Sequence, residues 1–197
     1  MHKPITMLYA LSNDKGGFST INSISLQGAV NPLFGVGYGF RGGLVSQPVS
    51  KLLYAVSSDS TNFSVLRTIN TNGAIQALFG LGYRFNGGLT YRYSDKSFYA
   101  IASDEAAFST LYKVALSGAV NPLFGLGSRF DSGLAYDPFR DIFYAISSDA
   151  QGFSTIHSVL LSGLIRPLFG LGFGFRGGLT YHPGKGLFYA ISTDKTV

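Results

Sequence analysis

Apolar residues fall in short runs divided by glycine, serine, asparagine and aspartate, and the runs recur at a fixed step. The stretch from residue 133 to 171 shows the unit. Gly-Leu-Ala-Tyr (133–136) predicts a first strand, A, and a turn with Pro138 and Arg140 follows. Ile142 to Ser147 predicts strand B, and Ser148 to Gly152 a turn containing Asp149. Ser154 to Leu161 predicts strand C, Ser162-Gly163 a tight turn, and Ile165 to Leu171 strand D. Turn residues breaking apolar runs this often are the signature of an antiparallel meander.

The unit repeats. A Tyr-Ala pair stands at Tyr9, Tyr54, Tyr99, Tyr144 and Tyr189, each 45 residues after the last, without insertion or deletion. Aspartate keeps the step at Asp14, Asp59, Asp104, Asp149 and Asp194. So does phenylalanine at Phe18, Phe63, Phe108 and Phe153, at Phe34, Phe79, Phe124 and Phe169, and at Phe40, Phe85, Phe130 and Phe175. A fixed period of this size indicates a repeat architecture.

Strands B and D read as nearly continuous apolar runs, as in Phe143-Tyr144-Ala145-Ile146 and Pro167-Leu168-Phe169-Gly170-Leu171. Such strands are expected to be buried on both faces. One copy cannot bury its own faces, so copies must stack. Four-stranded sheets packed face to face around an axis, the blades of a β-propeller, satisfy both demands. A parallel β-helix has shorter coils and no hairpins. A membrane barrel needs apolar-out, polar-in alternation. A β-sandwich does not explain the strict period. The expected fold is an all-β propeller of four-stranded antiparallel blades. It forms a single domain over residues 1–197, with units beginning near residues 43, 88, 133 and 178 and a partial unit at each terminus.

The run Gly-Leu-Thr-Tyr-x-Pro (178–183), Phe-Tyr-Ala-Ile-Ser (143–147), Ser-Thr-Leu-Tyr-Lys-Val (109–114) and Leu-Phe-Gly (123–125) resembles bacterial propeller repeats of the broad NHL and TolB-like kind. The resemblance covers nearly the whole chain. It implies an architecture and leaves function open, because one fold hosts many activities. An extracellular or secreted setting is favoured by this resemblance alone. No signal peptide is read in the chain as given.

The strands count B, C, D, then three full sets, then A and B, seventeen in all. The first B is expected at Thr6 to Ser12 and the last at Leu187 to Thr193. The expected ring has four blades with overlapping ends, the last strand A (Gly178 to Tyr181) completing the sheet of the first B, C and D. The alternative is that the surplus terminal strands join chains into an oligomer or filament.

Composition narrows the function classes. Hydrophobic residues make up 46% and charged residues 13%, which excludes a disordered chain and a charged coiled coil. The net charge of +5 is scattered, with no basic run, so nucleic acid is not an expected partner. No stretch is long and apolar enough for a membrane-spanning helix. Without cysteine there are no disulfides and no thiolate metal site.

In a propeller the D-to-A and B-to-C loops share one face. The D-to-A loops carry an invariant phenylalanine with variable neighbours: Tyr38, Phe40 and Arg41; Tyr83, Arg84, Phe85 and Asn86; Arg129, Phe130 and Asp131; Phe173, Phe175 and Arg176. Two readings stand. The phenylalanines plug the space between blades, or they form an aromatic ring on which a sugar or planar ligand stacks, with the polar neighbours as contacts. The aspartates after strand B are expected to bond their own backbone two residues on. One carboxylate per repeat is thin for calcium. Gly170-Leu171-Gly172-Phe173-Gly174 lacks the Lys-Ser or Lys-Thr pair and the helix of a phosphate loop.

Three histidines, His2, His157 and His182, occupy different places in their repeats, without metal-ligand spacing. Asp95 and Asp137 are expected in solvated A-to-B turns, and no nucleophile elbow is present. No cofactor and no metal site is expected. The expectation is a non-catalytic binding or interaction module whose ligand is a carbohydrate or a protein. A structural repeat protein is the alternative, and a propeller enzyme the least favoured reading.

Overall fold

The computed structural model describes residues 7–47, 50, 52–182 and 184–192, and among these there are seventeen strands and no helix. Blade one holds β1 (Met7–Asn13), β2 (Phe18–Ser25) and β3 (Val30–Tyr38). Blade two holds β4 (Leu44–Gln47), β5 (Leu52–Ser58), β6 (Phe63–Ile69) and β7 (Ile75–Tyr83). Blade three holds β8 (Leu89–Arg92), β9 (Ser97–Ser103), β10 (Phe108–Ala115) and β11 (Val120–Ser128). Blade four holds β12 (Leu134–Asp137), β13 (Ile142–Ser148), β14 (Phe153–Val159) and β15 (Ile165–Phe173), and a half-blade holds β16 (Leu179–His182) and β17 (Leu187–Ala190). All pairings are antiparallel between sequence neighbours, so each blade is a meander. The molecule is a β-propeller of four blades whose ends overlap, since β1 and β17 are the same strand of the repeat.

The blades pack through the Tyr-Ala column. Tyr54 of β5 meets Phe98 of β9 with ring centroids 4.7 Å apart, Tyr99 meets Phe143 at 4.6 Å, and Tyr144 meets Phe188 at 4.6 Å. Each interface is a separate apolar cluster, and β9 is buried at every position. The short inner strands β4, β8, β12 and β16 lie side by side at the axis. Their paired glycines permit this: a Cβ on Gly88 would sit 2.0 Å from the Leu134 amide nitrogen, and one on Gly133 2.3 Å from that of Leu179.

Two expectations are corrected. Strand D is not buried on both faces. Leu78, Leu123 and Leu168 remain 40–46% exposed, because D is the outermost strand of its blade and is hydrogen-bonded to C alone. The second concerns closure. Leu179 to His182 does not join the sheet of β1. It pairs with β17, in the register Leu179↔Ala190 and His182↔Leu187. The turn between them is closed by Lys185 and Gly186 amides donating to the His182 carbonyl, at 3.1 and 2.9 Å. A hairpin this short costs less chain entropy than a pairing across nearly the whole sequence. Thr6 and Thr193, the expected outer limits of the terminal strands, lie outside the described residues, as do His2 and Asp194.

Candidate functional site

The D-to-A loop is anchored at both ends by backbone bonds. In blade two, the Arg84 amide donates to the Asn62 carbonyl at 2.8 Å, and the Arg84 carbonyl accepts from Ser103 of blade three at 3.2 Å. Arg129 repeats this with Ala107 and Ser148, at 2.8 and 3.1 Å. Between these bonds sits a serine that the sequence analysis passed over. Ser64 Oγ accepts from the Phe85 amide at 3.0 Å and pairs with Ser58 Oγ at 2.9 Å. Ser109 does the same for Phe130 and Ser103, both at 2.9 Å. Ser19, Ser64, Ser109 and Ser154 are fully buried. Their signal was legible as a Phe-Ser pair in all four copies.

With the loops held this way, the expected ligand residues divide into groups. Phe40, Phe85 and Phe130 are buried at 3–4% exposure, and Phe175 is half-buried. The first three are therefore interior plugs and not a stacking ring. Phe85 packs on Tyr112 at 4.9 Å and Phe130 on His157 at 4.9 Å, each ring reaching into the next blade. Arg84 and Arg129 hold left-handed backbone at φ 63° and 60°, which only glycine adopts freely. Arg84 pairs with Glu105 across the blade boundary at 2.7 Å, and Arg129 reaches the Asp149 carbonyl at 3.5 Å. Arg41, Asn86, Asp131 and Arg176 converge on the axis. They line a cavity of about 370 Å³ together with the paired glycines and residues of β1 and β17.

The exposed aromatics lie at the rim. Tyr38 is 71% exposed, Tyr83 63% and Phe173 67%. Each stands edge-on to a phenylalanine of its own blade, Phe18, Phe63 and Phe153, at 5.4–5.5 Å and 82–85°. Those phenylalanines cover glycines of strand D, with a Cβ on Gly80 falling 2.8 Å from the Phe63 ring. The platform is thus fixed from beneath. Between Tyr38 and Phe63 opens a cleft of about 580 Å³ at the boundary of blades one and two. Ser57, Ser58, Asp59, Asn62, Arg41 and Arg67 supply its polar lining. Arg67 Nε donates to Ser57 Oγ, which fixes the guanidinium in the cleft.

Three of the turn aspartates bond the backbone two residues on as the sequence implied, Asp14 accepting from Gly16, Asp59 from Thr61 and Asp149 from Gln151, whereas Asp104, among the described residues, accepts only from the Phe108 amide four residues on. Asp14 Oδ1 accepts from the Gly16 and Phe18 amides, at 2.8 and 2.9 Å, and Asp59, Asp104 and Asp149 repeat the bond to the phenylalanine. The Thr61 hydroxyl and the backbone donors hold the Asp59 carboxyl below the usual carboxylate range, against the opposing effect of burial. Among the described residues, no three His, Asp or Glu side chains gather as a metal site. Among the described residues, no helix is long and apolar enough to cross a membrane.

The opposite face departs from expectation. Asp137 is 1% exposed, and its Oδ1 accepts from the Phe139 amide at 2.9 Å. Asp95 is partly buried and takes bonds from Tyr99 at 2.7 Å, Lys113 at 3.0 Å and Arg92 at 3.2 Å. Arg92 also forks onto Asp141 of blade four at 2.8 and 2.7 Å. These aspartates are not solvated turn residues, and the network breaks the repeat symmetry. Arg92 bonds an acid on each side, Asp95 of its own blade and Asp141 of the next, which makes the network a staple between blades three and four. His182 ends strand β16, buried, and does not lie in a turn.

One pair has the look of a nucleophile and its base. Ser147 Oγ lies 2.8 Å from His157 Nε2. A catalytic histidine needs an acceptor on its other nitrogen to hold the tautomer that takes the serine proton. His157 Nδ1 is buried with no hydrogen-bond partner, and burial depresses the pKa of the ring. The same cross-strand position is filled by Asn22 with Ser12, and by Arg67 with Ser57. The pair belongs to a packing column.

No protein-family model matches the chain, and no curated protein matches it in sequence. Solved structures do match in shape. TolB from Acinetobacter baumannii superposes with a TM-score of 0.64 at 18% identity, over 97% of this chain and 48% of that one. The fold is that of a β-propeller. A GH43 glycoside hydrolase aligns at 0.69 and 12% identity over 95% of this chain and 45% of that one. An exo-β-1,3-galactanase from Phanerochaete chrysosporium, solved with galactose, aligns at 0.63 and 9% identity over 87% and 48%. This propeller chain spans about half the length of these structures. At such identities the likeness is one of fold.

Proposed function

We propose that the protein is a non-catalytic binding module that takes saccharide ligands on its D-to-A and B-to-C loop face. The observation that carries this reading is the rim aromatic. Tyr38 is 71% exposed yet held edge-on against Phe18, beside a cleft with hydroxyl, amide and guanidinium groups. A fixed, exposed ring next to a few polar groups suits a sugar, which offers an apolar ring face and a hydroxyl edge. The cleft volume falls within the usual span of ligand sites. Tyr83 repeats the exposed, edge-braced ring one blade on, at 63% exposure against Phe63.

A glycan array tests the reading. Wild-type protein is expected to retain a defined set of saccharides, and Tyr38→Ala to weaken retention by about tenfold, a contact of the usual stacking strength. Thermal melts establish that the variant folds. Silence across the array, or signals indifferent to both Tyr38→Ala and Tyr83→Ala, would sink the proposal.

A further inference from the structure

The blade boundaries share one design but not one charge. In the cleft between blades one and two, Arg41 and Arg67 face a single acid, Asp59, leaving one net positive charge. At the matching positions of the next boundary, Arg84 stands with Asp104 and Glu105, a net negative charge. At the third, Arg129 stands with Asp131 and Asp149, again net negative.

The arginines differ in how they are used. Arg84 is committed to Glu105 and Arg129 to the Asp149 carbonyl. The matching position of the first boundary is Gly39, so no loop side chain reaches across it. The Gly39 carbonyl still accepts from the Ser58 amide at 2.8 Å, so the loop is docked as in the other blades while the cleft stays open. Among the described residues no ion pair engages Arg41 or Arg67. Asp59 turns its Oδ1 to the Thr61 amide, the Thr61 hydroxyl and the Phe63 amide, and among the described residues it forms no ion pair with either arginine.

We infer that this cleft selects a saccharide bearing a carboxylate, its ring stacked on Tyr38 and its acid group taken by Arg41 and Arg67. The inference rests on the saccharide reading above and adds the ligand's charge and the boundary that binds it. A guanidinium presents a planar fork matched to a carboxylate, and such charge-assisted bonds are about twice as strong as neutral ones. Arg67 is already oriented by Ser57, so little side-chain freedom is lost on binding. The other two boundaries would repel the same ligand.

The repeat itself supplies tolerated substitutions. Blade two carries Asn86 where blade one carries Arg41, and blade three carries Tyr112 where blade two carries Arg67. Arg41→Asn and Arg67→Tyr therefore place residues that the same backbone already accommodates. Calorimetric titrations would use galacturonic acid trimer, its methyl ester and neutral galactotriose. The acid is expected to bind about tenfold more tightly than the ester, to lose that margin in either variant, and to weaken as salt is raised. Equal binding of acid and ester, dependent on Tyr38, would overturn the charge inference and leave the saccharide reading standing. Acid binding that survives both variants would likewise overturn it. Binding of none of the three, in a protein also silent on the glycan array, would remove both.

Discussion

At Asp141 one carboxylate joins two blades. Arg92 forks onto it and the Tyr136 hydroxyl donates at 2.6 Å, and these bonds, Arg92 first, hold its carboxyl below the usual range. Asp95 behaves alike. Burial pushes it up, but the bonds from Tyr99 and Lys113 and the charges of Lys113 and Arg92 more than offset this. A carboxyl depressed in the folded state adds stability above its unfolded pKa of about 4, and loses it as pH falls through the lower folded value. Asp141→Asn should therefore cost about 0.5–1 kcal/mol near neutral pH, scaled for a half-exposed pair. That cost should shrink as the pH drops below about 4. Urea denaturation across a pH series checks it, and a difference that stayed constant into strong acid would count against the staple. None of this was legible from the repeat columns. Arg92 and Asp141 lie 49 residues apart, one repeat plus four, so comparing equal positions cannot pair them.

Among the elements, strand order was legible because turn residues recur where hairpins must close. In the unit over 133–171 the observed limits fall within two residues of expectation, as at Ile165–Phe173 against 165–171, whereas the last strand B, expected to run from Leu187 to Thr193, ends at Ala190. The misreading of strand D has an identifiable cause. Pro-Leu-Phe-Gly-Leu is apolar throughout, so hydrophobicity alone suggested two buried faces. Pro32, Pro122 and Pro167 carried the opposing signal, since proline sits on edge strands where no partner needs its missing N–H. The glycine pairs of strand A carry a similar lesson, because their close approach follows only from the ring. Two alanine substitutions separate the roles. Gly88→Ala drives a Cβ to 2.0 Å from the Leu134 backbone nitrogen, and neither inner strand can move aside. It should cost about 3 kcal/mol or more, at the severe end of overpacking. Gly80→Ala meets only the end of the Phe63 ring at 2.8 Å. A ring can tilt, so about 1 kcal/mol is expected, with loss of the edge-on pair to Tyr83. Chemical denaturation of both variants ranks them, and equal costs would contradict the inner-strand packing.

At the scale of the molecule, each blade touches only its neighbours, so stability should follow position in the row as it does in stacked repeats. Blade three has apolar clusters on both faces, against blade two and against blade four. Its strand β9 carries Tyr99 at 1% exposure, Phe98 at 0% and Ile101 at 0%. The same columns are far more open in the terminal segments. Tyr9 of β1 is 42% exposed, and in the half-blade Ile191 is 38% exposed. Opening β17 therefore uncovers little that is not already wet, whereas opening β9 must break two interfaces together. Native-state hydrogen exchange should reflect this. Amides of β9 should exchange only through global unfolding, β5 and β13 somewhat faster, and β1 and β17 by local opening at low free energy. The candidate cleft lies between blade one and blade two, on the side of the gradient where opening is easier. A ligand bridging Tyr38 and Arg67 binds only when both blades are folded, so it should raise protection in β1 to β3 by linkage while leaving β17 unchanged. Protection in β17 equal to that of β9, or a ligand effect spread evenly over all blades, would show that the ring unfolds as one unit and that this nearest-neighbour account is wrong.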